Sequence, residues 1–180
     1  MYRDNTLIPT ETVRLAALGA LMEGNRRYGE LATEIRGLVA RIVGPSLDLL
    51  GSSLELLRIE GLIRTADGTE MGEDSLLTLT EEGRCAFRAL VTSRVRAPMN
   101  DMSRLVIALK MRFLTLLDLE AQRDQLDMLA EATEIDLARL RDLRGGAVGG
   151  YLADWLDLDI AQAQDRLAWF RRLEATLSVG

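Results

Sequence analysis

Apolar residues recur at three- and four-residue steps through most of the chain, the spacing that lines one face of a helix. The sharpest run is 46–64, where Leu47, Leu50, Leu54 and Leu57 share a face. Ser46 stands where an N-cap hydroxyl is wanted, and Gly61 sits just past the last periodic residue, where a left-handed backbone closes a helix. Upstream, Thr10 can cap a mostly apolar helix carrying Val13, Leu15, Ala16, Leu18 and Leu21, which stops near Gly24. Asn25-Arg26-Arg27 reads as a short turn, and Tyr28 opens a second helix with Leu31, Ile35 and Leu38 or Val39 inward. Gly44-Pro45 breaks the chain before the run at 46.

After Gly61 the period changes. Leu62 and Ile63 start a strand-like run, Asp67-Gly68 signals a turn, and Leu76 to Thr80 form a second strand. Thr80 then caps a helix opened by Glu81 and Glu82 that runs through Cys85, Phe87, Leu90 and Val91 to about Arg96. Three helices followed by strand, turn and strand are the layout of a winged helix-turn-helix. In that layout the helix at 46–60 is the one offered to a DNA major groove.

Ala97-Pro98 marks a boundary, so the expected domains are 1–96, the winged helix, and 97–180, a helical domain. The fold class is mainly α with a small β wing. In the second half Met102, Leu105, Leu109, Phe113, Leu116 and Leu117 make one stripe, and a helix near 120–143 carries Leu126, Leu129, Leu137 and Leu140. The glycine-rich stretch 145–150 reads as a hinge, since no strand precedes it and its spacing is not that of a phosphate loop. The last helix, 151–177, places Leu156, Ile160, Ala163, Leu167, Phe170, Leu173 and Leu177 in one seam. Burying one Leu or Phe is worth roughly 1.5–3 kcal/mol, so exposed seams of this size point to an interface with a second copy, ahead of packing onto the first half. Trp155 and Trp169 flank the seam. They read as packing anchors before they read as the lining of an aromatic effector pocket.

Charge narrows the function. Net charge is −6, and the halves on either side of Arg96 carry −2 and −4. Phosphate binding therefore requires arginines gathered locally. Arg26, Arg27, Arg36, Arg41, Arg58 and Arg64 lie nearest the predicted DNA face, with Ser52 on the helix itself. The competing reading pairs these cations with Glu23, Glu30, Glu34 and Glu60 as a solvated surface. The outward positions Asp48, Ser52, Glu55 and Ile59, with Leu49 and Leu56 beside them, and a wing tip with four acids and no base favour a protein partner over a duplex. A winged-helix interaction module without DNA binding is therefore the alternative.

The chain has no histidine and one cysteine, Cys85, expected as a small buried hydrophobe. Without an assembled acid, base, nucleophile or metal set, no enzyme, metal or cofactor is expected. No 18-residue apolar run and no signal-like start appear, so no membrane span and a cytoplasmic location are expected.

Several motifs occur together in order. Tyr28-Gly29 with Leu31, Ser46 with Leu50, LELLRIEGLI at 54–63, LTLTEEGR at 77–84 and the closing helix with Trp169 before Arg171-Arg172-Leu173 resemble the PadR-like family of bacterial transcriptional regulators over nearly the whole chain. The resemblance implies a homodimer held by carboxy-terminal helices that binds a palindromic operator and represses. In some members a small molecule at the dimer interface releases DNA. The sequence departs where the family has a Tyr-Pro pair, here Gly51 and Ser52, and where it has bases, here Glu55 and Leu56. Those changes remove DNA contacts and leave the fold intact.

Overall fold

The computed structural model describes residues 7–44, 50–68, 70–95, 97–146 and 149–177, with only the backbone described at 50–52. Ser46, Leu47, Asp48 and Leu49 lie outside the described residues, so the cap expected at Ser46 does too. Two compact units form: Met1–Arg94 with Asp101–Leu117, and Val95–Asn100 with Asp118–Gly180.

The first unit holds α1 (Pro9–Glu23), β1 (Arg26–Arg27), α2 (Tyr28–Ile42), α3 (Leu50–Ile59), β2 (Ile63–Thr65), β3 (Leu76–Leu79), α4 (Glu81–Val91) and α5 (Asp101–Phe113). It is the winged helix-turn-helix read from the pattern, mainly α with a three-stranded antiparallel wing. Helix α1 starts earlier than its Thr10 cap suggested, with Pro9 as first helical residue and Ile8 before it. Proline suits that place because its missing N–H would be unpaired there in any case. Leu15, Leu18, Leu31, Leu54, Leu57, Ile63, Leu77 and Phe87 are buried together as the core.

Helix α3 ends as its sequence requires. The Leu62 N–H donates to the Leu57 carbonyl at 2.8 Å and the Gly61 N–H to Arg58 at 2.9 Å. Gly61 takes φ +73°, so the two bonds close a Schellman turn that a side chain would strain. The turn aims the chain into β2.

Strand β3 lies at the centre of the sheet, in the order β1-β3-β2. Ile63 pairs with Leu79 and Thr65 with Leu77 on one side; Arg26 pairs with Leu77 and Arg27 with Leu76 on the other. The turn expected at 25–27 is thus partly a strand. Two arginines carry no strand signal; the open edge of β3 recruits them.

Thr80 caps α4 as expected, its hydroxyl accepting from the Gly83 N–H at 3.0 Å. A methyl at Gly83 would run into the Leu62 carbonyl oxygen. Gly83→Ala is therefore expected to destabilise the unit by about 1–3 kcal/mol, the usual cost of overpacking, read as a lower urea midpoint of a probe within this unit at unchanged slope. An unchanged midpoint would show that the wing and α4 are not packed this closely. Gly83, Phe87 and Val91 form the buried stripe of α4, which turns Cys85 outward. Cys85 is exposed, which corrects the expectation of a buried thiol.

Helix α5 departs most from the division at Arg96. Leu105, Leu109 and Phe113 are buried within the first unit, against α1, α2 and α4. Gly19 on α1 makes room: a methyl there would meet the Phe113 ring. Phe113 in turn meets Phe87 edge-on, with centroids 5.9 Å apart.

The second unit is a helical hairpin of α6 (Leu119–Gly145) and α7 (Gly150–Leu177), with the segment Val95–Asn100 on it. Asp118 caps α6 by accepting from the Ala121 N–H at 2.9 Å. Ion pairs fix an antiparallel register. Arg144 near the end of α6 binds Asp157 at 2.8 Å, while Arg171 binds Asp127 at 2.7 Å and Glu134 at 3.2 Å. The Val95 N–H points to the Met128 sulfur at 3.4 Å and the Met99 N–H to Asp136 at 3.3 Å.

The hairpin changes the reading of the last-helix seam. Leu156, Ala163 and Phe170 are buried within this unit, where α7 packs on α6, whose Leu126, Leu129, Ala130 and Leu137 are buried too. Ile160, Leu167, Leu173 and Leu177 are half-buried. The seam was expected to need a second copy; its central residues are covered by the same chain. The large apolar side chains left open on α7 are Tyr151, Leu152, Trp155, Leu158 and Trp169.

Candidate functional site

The site is the outer surface of α3 together with the wing and the start of α2. On α3, Ser53, Leu54 and Leu57 face the core, while Leu56, Arg58 and Ile59 face outward. Leu56 is 48% and Ile59 68% exposed, large values for side chains of this size. Glu55 is partly exposed beside them. Both the Nε and the Nη2 of Arg58 donate to one Glu55 oxygen, Oε1, at 3.2 and 2.5 Å. That bond pulls the Glu55 carboxyl below the usual carboxylate range and raises the Arg58 guanidinium. Glu70 of the wing adds a weaker pull on Arg58.

The wing folds back on α2. The free amides of a helix's first turn seek acceptors, and here the wing supplies them. The Tyr28 N–H donates to the Ser75 carbonyl and the Gly29 N–H to Glu73, both at 3.0 Å. Arg27 Nη1 donates to the Asp74 carbonyl at 2.9 Å. Ser75 Oγ accepts from the Gly72 N–H at 2.8 Å within the loop. Arg27 therefore holds the wing in place.

The other arginines divide. Arg26 lies 3.9 Å from Glu34, inside a network in which Arg112 of α5 binds Glu23 at 2.6 Å and Glu34 at 2.5 Å. The hydrogen bonds that Arg112 donates to Glu23 are the main cause that raises its guanidinium. Arg41 is exposed and bonds the Gly37 carbonyl of its own helix at 3.2 Å. Arg36 on α2 and Arg64 on β2 are exposed. Ser52 belongs to α3, and its side chain lies outside the described residues. The expected partners Glu23, Glu34 and Glu60 do hold arginines, though largely Arg112 and Arg14, which the sequence reading did not single out. Nothing in sequence spacing links Arg112 to Glu23, because the pair spans 89 positions.

One further buried group stands out. Lys110 has no exposed surface, and its Nζ donates to the carbonyls of Val91 and Ser93 at 2.5 and 2.6 Å. These carbonyls close the C-terminal end of α4, where a cation is favoured. Burial lowers its pKa to about 7.

Trp155 and Trp169 are 59% and 43% exposed on α7, so within one chain they are not packing anchors of the seam. Among the described residues no group of three or more His, Cys, Asp or Glu is placed to hold a metal, and no helix is long and apolar enough to cross a membrane.

No curated protein matches the chain. Three solved structures of Bacillus subtilis PadR are similar to it. The one with p-coumaric acid has TM-score 0.41 at 14% identity, covering 96% of this chain and 99% of that one. PadR by itself has TM-score 0.41 at 16%, covering 96% and 98%, and PadR with operator DNA 0.38 at 16%, covering 91% and 98%. The family model described as "Putative AphA-like transcriptional regulator" matches residues 2–174. The regulator family read from the sequence is borne out: the chain belongs to the AphA-like family of transcriptional regulators.

Proposed function

We propose that the chain is a homodimeric transcriptional repressor that binds a palindromic operator through α3 and the wing, and that it acts by binding and not by chemistry. The observation that supports this most is the regulator-family match over residues 2–174, laid on a winged helix whose α3 presents an uncovered face. Ser52 and Arg58 approach bases or phosphates, helped by Arg36, Arg41 and Arg64, which are exposed on α2 and β2. Arg26 and Arg27 join only by giving up Glu34 and the wing carbonyl. In a dimer the two α3 helices stand about 34 Å apart, one turn of duplex. The second copy covers the apolar side chains open on α7, Leu152, Trp155, Leu158 and Trp169, with Ile160, Leu167, Leu173 and Leu177 at their margin. Between the copies Trp155 and Trp169 line a pocket for an aromatic small-molecule effector.

A gel-shift titration against the promoter of its own operon tests the reading. The expected result is retention that resists random-sequence competitor, with log affinity falling against log salt at a slope near −5 if about six phosphates are neutralised. Absence of retention at low salt overturns it. A second reading, an interaction module that binds protein in place of DNA, draws on the exposure of Leu56 and Ile59. It replaces the first if no duplex is retained and a stoichiometric protein partner is lost on Leu56→Asp.

A further inference from the structure

The residues Leu50–Ile59 of α3 contain one cation, Arg58, and one acid, Glu55. The structure joins them to each other. Both Nε and Nη2 of Arg58 close on the same carboxylate oxygen, at 3.2 and 2.5 Å, across an i, i+3 step. The helix thus presents no net charge over this stretch. Its neighbours on the outer surface, Leu56 and Ile59, offer no donor, and the acid that also acts on Arg58, Glu70, comes from the wing. An uncommitted arginine at this place would attract any duplex, because phosphate attraction is independent of sequence. An arginine already bonded to a carboxylate gains from phosphate only what exceeds that bond, and the displaced carboxylate must then be turned away from the polyanion. Both side chains are about two-fifths exposed, 39% for Arg58 and 42% for Glu55, so the exchange needs a rotamer change and no unfolding.

We propose that Glu55 is a counter-ion that Arg58 exchanges for DNA, and that it thereby sets how strongly the protein separates its operator from random duplex. This rests on the reading of α3 as the DNA-facing helix. Where the operator places a paired acceptor opposite Arg58, the guanidinium gains two aligned bonds and the exchange proceeds. Elsewhere the pair stays closed, and the carboxylates of Glu55 and Glu70 repel the backbone. The acidic wing and recognition helix, which would otherwise count against DNA binding, then act as a restraint on non-specific binding.

The test uses the full chain and two labelled duplexes, its own promoter and a random sequence of equal length, titrated by fluorescence anisotropy over a series of salt concentrations. Glu55→Gln is expected to raise affinity for random duplex about tenfold and for the promoter by clearly less. The random-duplex salt slope should steepen by about 2 for a dimer, one more phosphate neutralised per protomer. Glu55→Gln combined with Arg58→Gln is expected to match Arg58→Gln alone, since Glu55 acts through Arg58. If wild type retains its promoter while Glu55→Gln leaves both the random-duplex affinity and the slope unchanged, the inference fails and the DNA reading stands. If the double variant still shows the gain, Glu55 acts by general charge and the inference fails as well. If neither wild type nor Glu55→Gln binds any duplex, the DNA reading itself fails.

Discussion

Replacing Phe113 by alanine is expected to lower the stability of the first unit by about 3–5 kcal/mol, the range for a fully buried phenyl ring. The side chain has no exposed surface and fills the space above Gly19, so truncation leaves a cavity on α1. It also removes an edge-to-face contact with Phe87 and the ring beneath the Arg112 guanidinium, 5.1 Å from its centroid. Because the chain forms two units, a whole-molecule melting curve would mix them. Amide exchange of α1 in rising urea isolates the first. Gly19→Ala in the same background should recover part of the loss, since the added methyl enters vacated space. A loss under about 1 kcal/mol in α1 would place α5 outside this core.

The second large effect concerns Lys110. Lys110→Met keeps most of the volume but leaves the Val91 and Ser93 carbonyls without this donor, at about 1–3 kcal/mol for each buried group left unmet. Relief of the desolvation that depresses the amine works the other way. The two terms separate by pH. Burial lowers the folded pKa from 10.5 to about 7, so between those values the unfolded chain holds a proton that the native chain does not. Stability then rises with pH across that window, and the penalty is present in full below pH 7. The advantage of wild type over Lys110→Met is therefore expected to grow from pH 6 to pH 9, measured as paired urea midpoints of a probe placed in the first unit at each pH. A difference independent of pH would mean that Lys110 keeps its charge in both states.

These two residues also show where the sequence was legible and where it was not. The winged helix could be read because local signals agreed: Gly61 closes α3, Thr80 caps α4, and Leu54 and Leu57 fall on the core side. Helix α5 was assigned to the wrong side of a boundary because Ala97-Pro98 breaks the chain without ending the unit. The chain leaves at Val95 and returns at Asp101. Periodicity records that Leu105, Leu109 and Phe113 share a face, but not which surface receives it. Gly19, the only hint, looks like a weak helix residue until its partner is known. The burial of Lys110 is not legible locally because its acceptors lie 17 and 19 positions away.

The α7 seam is legible as a stripe, but its cover within the chain is not. Leu156, Ala163 and Phe170 share a face in the sequence, and the preceding helix α6 packs against α7 and covers them. At the site, the arginines and most of their acidic partners are visible as sets, but which arginine meets which acid is not. Arg27 is drawn to the wing by a turn whose shape depends on Gly72 and Ser75, and Arg26 by a network completed from α5. The Glu55–Arg58 pair, three positions apart, lies within reach of local reasoning.

Sedimentation velocity of the protein mixed with a duplex carrying its own promoter, at low and then at raised salt, reads pairing and DNA binding together. The expected result is a complex of two 20.0 kDa chains on one duplex that dissociates as salt rises, with the free protein running as a dimer. Protein that sediments as a 20.0 kDa monomer, unaffected by the duplex at any salt, would contradict both the pairing and the DNA-binding role.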